Sequence, residues 1–248
     1  MKKSYVYKYI NHLIGKAILR YRMIDDGDRI LVAVSGGKDS LTLLWFLRER
    51  LKWIPLKYEL VALHIDLGFG LNTAGSMERF FRENGFEYKI IRTNIGPMAH
   101  SEKNRENPCF LCSRMRRKLI FETARELDCK KIAFGHHKDD VIETLFINIL
   151  YGASISTMLP VQGFFKGMFS VIRPLYMVDE GLINRFFEYM KWPRIDMGCP
   201  SSGSSRRRVV KGILEKLYRC NHKIKGNIFH AMHNIRIEYL PCSGLNTG

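Results

Sequence analysis

The residue types best suited to chemistry are concentrated in one stretch, SGGKDS at 35–40. The apolar run ILVAV at 30–34 precedes it and a helical pattern follows, so it connects a buried parallel strand to a helix. Such a turn and helix start direct backbone N–H groups and a positive dipole end toward an anion. Lys38 adds a cation. A carboxylate such as Asp39 would repel a bound phosphate, and its presence makes chemical sense if it holds a divalent metal. An ordinary glycine-rich turn is the alternative. We predict a phosphate site composed of Ser35, Gly36, Gly37, Lys38, Asp39 and Ser40.

A second polar group follows the predicted strand at 132–134. Gly-His-His at 135–137 ends that strand, and Asp-Asp at 139–140 begins the next helix. Carboxylates at a helix start can simply complement the dipole, which does not account for the histidines before them. Ligands of open α/β sheets bind beyond the carboxyl ends of the strands. His64, at the end of another predicted strand, is a further candidate, with a histidine satisfied within its own loop as the alternative.

The cysteines indicate a metal or redox site. Cys109 and Cys112 are spaced C-x-x-C at the start of a basic helix, a pattern shared by redox pairs, half metal sites and incidental thiols. Neighbouring cations and a helix N-terminus lower the pKa of a thiol, so we expect thiolates here. Cys129 is expected to be a buried thiol. A structural zinc ion normally takes four protein ligands, and Cys220, Cys242 and His222 are further candidates for such a site.

The remaining pattern predicts an α/β fold, with a doubly wound parallel sheet and helices on both faces. A basic amphipathic helix at 1–26 is expected to pack on an α/β domain at 27–178, and a helical region follows at 179–248. The predicted elements are helices at 4–24, 75–84 and 179–192, strands at 30–34, 57–68, 86–92 and 132–134, and a loop or short hairpin at 153–170.

The charge balance predicts a polyanionic partner. With 40 Lys and Arg against 24 Asp and Glu, the net charge is +16. Nucleic acid is the first candidate and an anionic membrane surface the second. A helix bearing Arg206, Arg207, Arg208 and Lys211 is expected to contact RNA phosphates. No stretch of 18 apolar residues occurs and the N-terminus is too polar for a signal sequence, so we expect a cytoplasmic protein without membrane attachment.

Several motifs together resemble one family. SGGKDS resembles the pyrophosphate loop, SGGxDS, of the PP-loop ATP pyrophosphatases. PCFLCSRMRR, GHHKDDVIETLFIN, IRPL and a late Cys followed by Gly-Ser narrow the resemblance to the tRNA-cytidine 2-sulfurtransferases, or tRNA 2-thiocytidine synthetases. The resemblance runs from about residue 29 to about residue 240. It implies a Rossmann-like fold of the adenine nucleotide α hydrolase type.

The resemblance also implies a reaction and its cofactors. ATP and Mg²⁺ would adenylate the C2 oxygen of a cytidine in the tRNA anticodon loop, and a [4Fe–4S] cluster would deliver sulfur from a donor such as a cysteine desulfurase. A homodimer is compatible with it. Cys199 matches the first Cys of a late C-x-x-C whose second position is Ser202 here. The implied site residues are, for ATP, Ser35, Gly36, Gly37, Lys38, Asp39, Ser40, His64, Gly135 and His137; for Mg²⁺, Asp39 and Asp140; for the cluster, Cys109, Cys112 and Cys199; for catalysis, Lys38, Asp39, Asp140 and the three cysteines; and for RNA, Arg114, Arg116, Arg117, Arg173, Arg206, Arg207, Arg208 and Lys211.

Three other functions compete with this one. Lysidine synthetase also uses SGGKDS, but it needs no cluster and leaves the cysteines unexplained. A 2-thiouridine synthetase of the zinc-finger type should show paired C-x-x-C motifs at both ends, which this chain lacks. An RNA-binding module with a vestigial nucleotide loop would not need an intact Lys38, Asp39 and Asp140.

Overall fold

A computed structural model describes residues 4–195, 198–203 and 206–240. The strands are three to eight residues long, and the central ones are mostly apolar runs buried on both faces, as at 30–32 and 61–65. The strands are β1 (Arg29–Ala33), β2 (Glu59–Asp66), β3 (Glu87–Arg92), β4 (Lys131–Ala133), β5 (Val161–Phe164) and β6 (Phe169–Ile172). The helices are α1 (Tyr5–Arg20), α2 (Lys38–Arg50), α3 (Thr73–Glu83), α4 (Ile95–Ala99), α5 (Pro108–Glu126), α6 (Lys138–Gly152), α7 (Glu180–Met190), α8 (Arg206–Cys220) and α9 (Ile224–Ala231).

The described strands form one sheet in the order β3-β2-β1-β4-β6-β5. All neighbours are parallel except β5 and β6, which form an antiparallel hairpin at one edge. The predicted doubly wound α/β sheet and the short hairpin within 153–170 are therefore confirmed. Strand order reverses between β1 and β4, and this switch point is where open α/β sheets bind ligands. The SGGKDS stretch and the Gly-His-His stretch follow these two strands.

Helices cover both faces of the sheet. On one face α1, α2 and α7 pack through aromatic rings, with the Phe46 and Phe186 centroids 4.8 Å apart and Tyr7 5.2 Å from Phe46. On the other face Ile120 and Phe121 of α5 join a core built on strand residues such as Leu31. The loops at the carboxyl ends of β1 and β4 are thus fixed from both sides.

The described residues divide into two compact units. The first contains residues up to 141 together with 158–205, and includes the sheet, α7 and Cys199. The second contains residues 142–157 and those from 206 onward, with a small core of Ile142, Val210 and Leu214. The predicted division at residues 26 and 178 stays a prediction. No helix among the described residues is long and apolar enough to cross a membrane.

A close backbone contact fixes the switch point. Gly135, directly after β4, lies against the first turn of α2: a Cβ added there would lie 3.0 Å from both the Asp39 carbonyl carbon and the Ser40 nitrogen. Both neighbours are backbone atoms of a buried helix start, so they cannot yield as a flexible side chain would. Glycine is therefore required at 135 by packing rather than by its torsion angles.

We expect Gly135→Ala to destabilise the protein by about 1–3 kcal/mol, the usual cost of overpacking. For a chain of this size the melting temperature should fall by about 2–12 °C. Gly181→Ala in α7 is the matched control, because a Cβ there meets nothing within 4 Å and alanine favours a helix. Differential scanning calorimetry of both variants checks this, and equal melting temperatures would refute the contact.

Candidate active site

The first turn of α2 is an uncapped helix N-terminus. Gly37 precedes it and no side chain caps it. Instead the two serines close the loop on itself: the Ser35 hydroxyl accepts from the Gly37 N–H at 3.3 Å, and the Ser40 hydroxyl donates to the Gly37 carbonyl at 2.9 Å. Gly36 has φ of +89°, which glycine adopts without strain. The first N–H groups of the helix and its positive dipole end are left for an anion, as predicted for a phosphate site.

His137 and Asp140 cap the start of α6 reciprocally. The His137 N–H donates to the Asp140 carboxylate at 3.0 Å, and the Asp140 N–H donates to the imidazole Nδ1 at 3.4 Å. Because Nδ1 accepts, the ring proton lies on Nε2. Nε2 is 3.4 Å from an Asp140 oxygen and 3.7 Å from Asp39 Oδ1. The histidine therefore holds two carboxylates from different elements beside one another.

Asp39 is a strained carboxylate. Burial raises its pKa, while His137 and Lys38 oppose the shift and Asp140 reinforces it. Its Oδ1 atom is buried without a hydrogen-bond partner. A buried carboxylate oxygen with no donor, next to a second carboxylate, is a favourable environment for a hard divalent cation. Asp39 and Asp140 thus fit Mg²⁺ in donor type and in charge.

Two acidic residues outside the implied set of site residues position the loop. Glu180, the first residue of α7, accepts a 2.6 Å ion pair from the Lys38 ammonium. Asp139 accepts from the Glu180 N–H at 2.8 Å, so it anchors the start of α7. Adjacent aspartates therefore differ in role, because Asp139 faces α7 and Asp140 faces Asp39. The only available signal was the position of Asp-Asp in the first turn of a helix, which cannot tell the two apart.

His64 is fully buried. Its Nδ1 lies 2.9 Å from the Val34 carbonyl at the end of β1, and Nε2 has no hydrogen-bond partner. Burial lowers its pKa, so the ring is neutral at physiological pH. In this structure His64 fixes the backbone just before Ser35, and it has no exposed atom to offer a nucleotide.

The three predicted cysteines lie in one region. Cys109 is exposed and Cys112 is half-buried, at the start of α5 whose N-cap is Asn107. Burial raises the pKa of the Cys112 thiol, Arg116 opposes this, and the charges of Cys199 and Cys109 add to it. The expectation that basic neighbours would lower the thiol pKa is therefore wrong for Cys112, because burial outweighs Arg116. Cys112 joins the hydrophobic cluster that includes Phe69, and a Cβ added at Gly198, directly before Cys199, would lie 3.2 Å from the Phe69 Cβ, which brings the three cysteines into one region. Cys129 is buried, as predicted.

Short helix α4 accounts for the approach of Cys199. His100, directly after α4, contacts the Ser201 hydroxyl through Nε2 at 2.8 Å. Gly198 packs so tightly that an added Cβ would lie 2.7 Å from Leu71. Ile95 of α4 and Cys112 of α5 belong to the same hydrophobic cluster. The segment around Cys199 is thus held beside the C-x-x-C by contacts that the sequence did not predict.

The donor set decides which metal group suits this region. No group of three His, Cys, Asp or Glu side chains among the described residues is close enough to hold a single metal ion. A [4Fe–4S] cluster bonds each thiolate to a different iron, so its cysteines surround a group much wider than one ion. Three free thiols in one region fit that arrangement in type and number. Cys242, a candidate zinc ligand, lies outside the described residues, whereas Cys220 and His222 fall in the second unit.

The predicted RNA-contacting residues fall into two sets. Arg114, Arg116 and Arg117 lie on α5, and Arg173, directly after β6, is buried. The other set, Arg206, Arg207, Arg208 and Lys211, lies on α8 of the second unit. Arg207 is not wholly available for RNA, since it pairs with the buried Glu143 at 3.5 Å. Arg206 lies over the Tyr151 ring at 4.9 Å.

Comparison with known proteins identifies the family. The family model described as a PP-loop domain matches residues 5–198. A tRNA-cytidine(32) 2-sulfurtransferase of Citrifermentans bemidjiense is 38% identical over 240 residues, covering 95% of this chain and 94% of the relative. One from Geobacter sulfurreducens is 37% identical over 238 residues, covering 94% and 92%. The solved U34-tRNA thiolase of Methanococcus maripaludis with its [4Fe-4S] cluster is 25% identical, with a TM-score of 0.77 over 96% of this chain and 81% of that one. The chain therefore belongs to the PP-loop family and, within it, to the tRNA-cytidine(32) 2-sulfurtransferases.

Proposed function

We propose that this chain uses ATP to replace the C2 oxygen of a tRNA cytidine by sulfur, at position 32 as the names of its relatives state. The observation that carries the proposal is the packing of Gly198, directly before Cys199, on Phe69, which belongs to the same hydrophobic cluster as Cys112 of the C-x-x-C, in a chain that also has the PP-loop. A PP-loop protein that only activates its substrate has no use for three neighbouring thiols. Thiolation uses both features.

The SGGKDS loop would bind the phosphates of ATP. The uncapped N-terminus of α2 offers its first N–H groups and its dipole to the anion. Lys38 pairs closely with Glu180, but its side chain is 28% exposed and can therefore rotate. When ATP binds, Lys38 would leave Glu180 and contact the phosphate. Ser35 and Ser40 keep the loop closed behind the nucleotide. The fixed backbone of 35–40 is thus the main binding element.

Asp39 and Asp140 would hold Mg²⁺ on the departing pyrophosphate. The unpartnered Oδ1 of Asp39 supports this assignment, because a cation would supply the interaction that this atom lacks. Mg²⁺, when bound, supplies positive charge that stabilises pyrophosphate as it leaves. His137 keeps the two carboxylates together through its Nε2 proton.

The reaction balances as two substitutions. In the first, the cytidine C2 oxygen attacks the α-phosphorus of ATP, an O–P bond forms, and the bond to pyrophosphate breaks. In the second, hydrosulfide adds to C2, the C2–O bond breaks, and AMP leaves with the oxygen. No net oxidation or reduction occurs when sulfur enters as sulfide. A cysteine desulfurase or free sulfide would be its source.

Cys109, Cys112 and Cys199 would hold a [4Fe–4S] cluster. Three thiolates leave one of its four irons without a protein ligand, and that iron supplies a position where sulfide can bind. Half-burial of Cys112 and Cys199 would also limit access of solvent.

Activity of Lys38→Ala tests the nucleotide assignment. With ATP, tRNA and sulfide, we expect the unaltered protein to release AMP and to form 2-thiocytidine, identified by mass spectrometry of the digested tRNA. Lys38→Ala should lower AMP release by about 10²- to 10³-fold, the usual loss for one electrostatic contact to the transition state. Lys52→Ala, which removes an exposed lysine beyond the other end of α2, should leave AMP release unchanged.

The nucleoside product also separates this function from its competitors. The structural similarity to a U34-tRNA thiolase makes 2-thiouridine the second candidate product. Lysidine in the digest, or tRNA binding without AMP release, would contradict the proposal.

Anaerobic purification tests the cluster. The protein should be brown, contain about four irons and four sulfides per chain, and bleach in air. Replacing Cys109, Cys112 or Cys199 with Ala should remove the iron and abolish thiolation while ATP binding persists. Cys220→Ala, at an exposed cysteine of α8, is the control that should retain iron. Colourless, active protein with stoichiometric zinc would exclude a cluster-based transfer of sulfur.

RNA binding by α8 is tested with Arg206→Gln and Arg208→Gln together. Arg207 is left in place because its loss would strand the buried carboxylate of Glu143. Each lost phosphate contact should lower the slope of log affinity against log salt by about 0.7 to 0.9, so the double variant should lose up to about 1.8. Fluorescence anisotropy with full-length tRNA at several salt concentrations measures the slope. An unchanged slope would exclude α8 from the RNA-binding surface.

A further inference from the structure

A basic pocket lies beside α5 that the proposed reaction does not use. It has a volume of about 370 Å³ and is enclosed by α5, the end of β4 and the β5–β6 hairpin. Three arginines line it, Arg116, Arg117 and Arg173, and no Asp or Glu of the described chain does. A concave site with three guanidinium groups and no carboxylate attracts an anion.

Arg173 shows that the pocket is incomplete without a ligand. Its guanidinium donates to the Leu159 carbonyl and, at 3.5 Å, to Gln162, yet its Nε is buried without a partner. The side chain is 7% exposed. Burial, together with the charge of Arg117, lowers the pKa of Arg173 to about 10. A buried cation that faces a second cation is costly unless an anion lies between them.

The other two arginines have no competing acid. Neither Arg116 nor Arg117 forms an ion pair with any residue that the structure describes, whereas their neighbours Arg114 and Lys118 pair with Glu106 and Glu122 at 3.0 and 3.8 Å. The free pair is the one that lines the pocket. Its guanidinium forks match the oxygens of a phosphate.

An aromatic groove continues from the pocket along the outside of α5. This second cavity, of about 570 Å³, shares Ser113, Arg117, Phe121 and Phe164 with the first. It is bordered by Phe110 and Phe165, whose rings are 60% and 61% exposed. Exposed aromatic rings alternating with cations are the surface on which unpaired bases stack while their phosphates are neutralised.

We propose that this groove binds a single-stranded segment of RNA and that the Arg173 pocket anchors one of its phosphates. The proposal rests on the proposed function, because it supplies the path by which an unpaired loop of the tRNA reaches the cysteines. Phe110 lies within two residues of Cys109 and Cys112 on α5, so a base stacked on Phe110 would be held within one helical turn of these cysteines. Duplex RNA hides its bases and gains nothing from the two rings.

Binding measurements with two variants test the groove. The probe is a fluorescent RNA hairpin with an unpaired loop, and a fully paired duplex of the same length is the comparison. Arg117→Gln should weaken hairpin binding and lower its salt slope by about 0.7, the value for one phosphate contact to a single strand. Phe165→Ala should weaken hairpin binding about tenfold, leave the slope unchanged, and leave duplex binding unchanged.

A matched control and a modified RNA sharpen the test. Arg125→Gln removes an exposed arginine from the last turn of α5, outside both cavities, and should match the unaltered protein. In a series of hairpins, one neutral methylphosphonate linkage replaces a different loop phosphate each time. We expect the replacement to weaken binding to the unaltered protein at one position only, and to have no effect at that position on binding to Arg117→Gln. Equal salt slopes for Arg117→Gln and Arg125→Gln would overturn the proposal. Displacement of the RNA by polyglutamate from the unaltered protein, but not from Arg117→Gln, would also overturn it, because the pocket would then bind an acidic peptide.

The test also separates this inference from the function. Thiolation by the unaltered protein with normal hairpin affinity in both groove variants would overturn the groove alone. Failure of the unaltered protein to thiolate tRNA would overturn the proposed function.

Discussion

The contact between Gly135 and the first turn of α2 is the constraint on which the candidate site depends. Parallel pairing of β1 with β4 brings the carboxyl ends of these strands together, but only a residue without a Cβ allows the two loops to touch. Since the contact is between backbone atoms, it fixes Asp39 and His137 relative to one another without relying on their side chains. The His137–Asp39 distance of 3.7 Å follows from that contact.

This arrangement concentrates negative charge beside a positive helix end. Burial and Asp140 raise the pKa of Asp39, so the carboxylate is destabilised before any ligand arrives. Lys38 is drawn away from it by Glu180 at 2.6 Å, and Asp139 is used to anchor α7. Lys38 is thus held by Glu180, whereas Asp39 Oδ1 accepts no hydrogen bond and has the His137 Nε2 3.7 Å away. The folded protein thus lacks a stabilising hydrogen bond at the atom where a metal ion would bind. Such a local loss of stability is typical of a functional site.

Local sequence predicted the elements that carry their own signal, and missed those that depend on distant contacts. The apolar run before Ser35, the glycines, and the helix starts at Lys38 and Lys138 follow from short-range rules, and the structure agrees. The Lys38–Glu180 ion pair joins residues 142 positions apart, and the His100–Ser201 contact joins residues 101 positions apart. No local sequence pattern encodes either contact. The wrong expectation for Cys112 has the same origin. Sequence revealed the arginines beside it, but burial of the thiol is a property of the folded core.

In the proposed function, the separation of oxygen ligands from sulfur ligands would allow one small protein to hold two different kinds of metal group. Asp39 and Asp140 offer hard carboxylate oxygens suited to Mg²⁺, a cation that binds thiolates poorly. The three cysteines offer soft sulfur, suited to iron–sulfur clusters and unsuited to Mg²⁺. The first set lies at the ends of β1 and β4, and the second lies at the start of α5 and in the loop of Cys199. Because each set belongs to its own loops, metal occupancy in one need not disturb the ligands of the other. In the proposed reaction, the carboxylate site would then serve the activation of the cytidine oxygen, and the cysteine site would serve the delivery of sulfur.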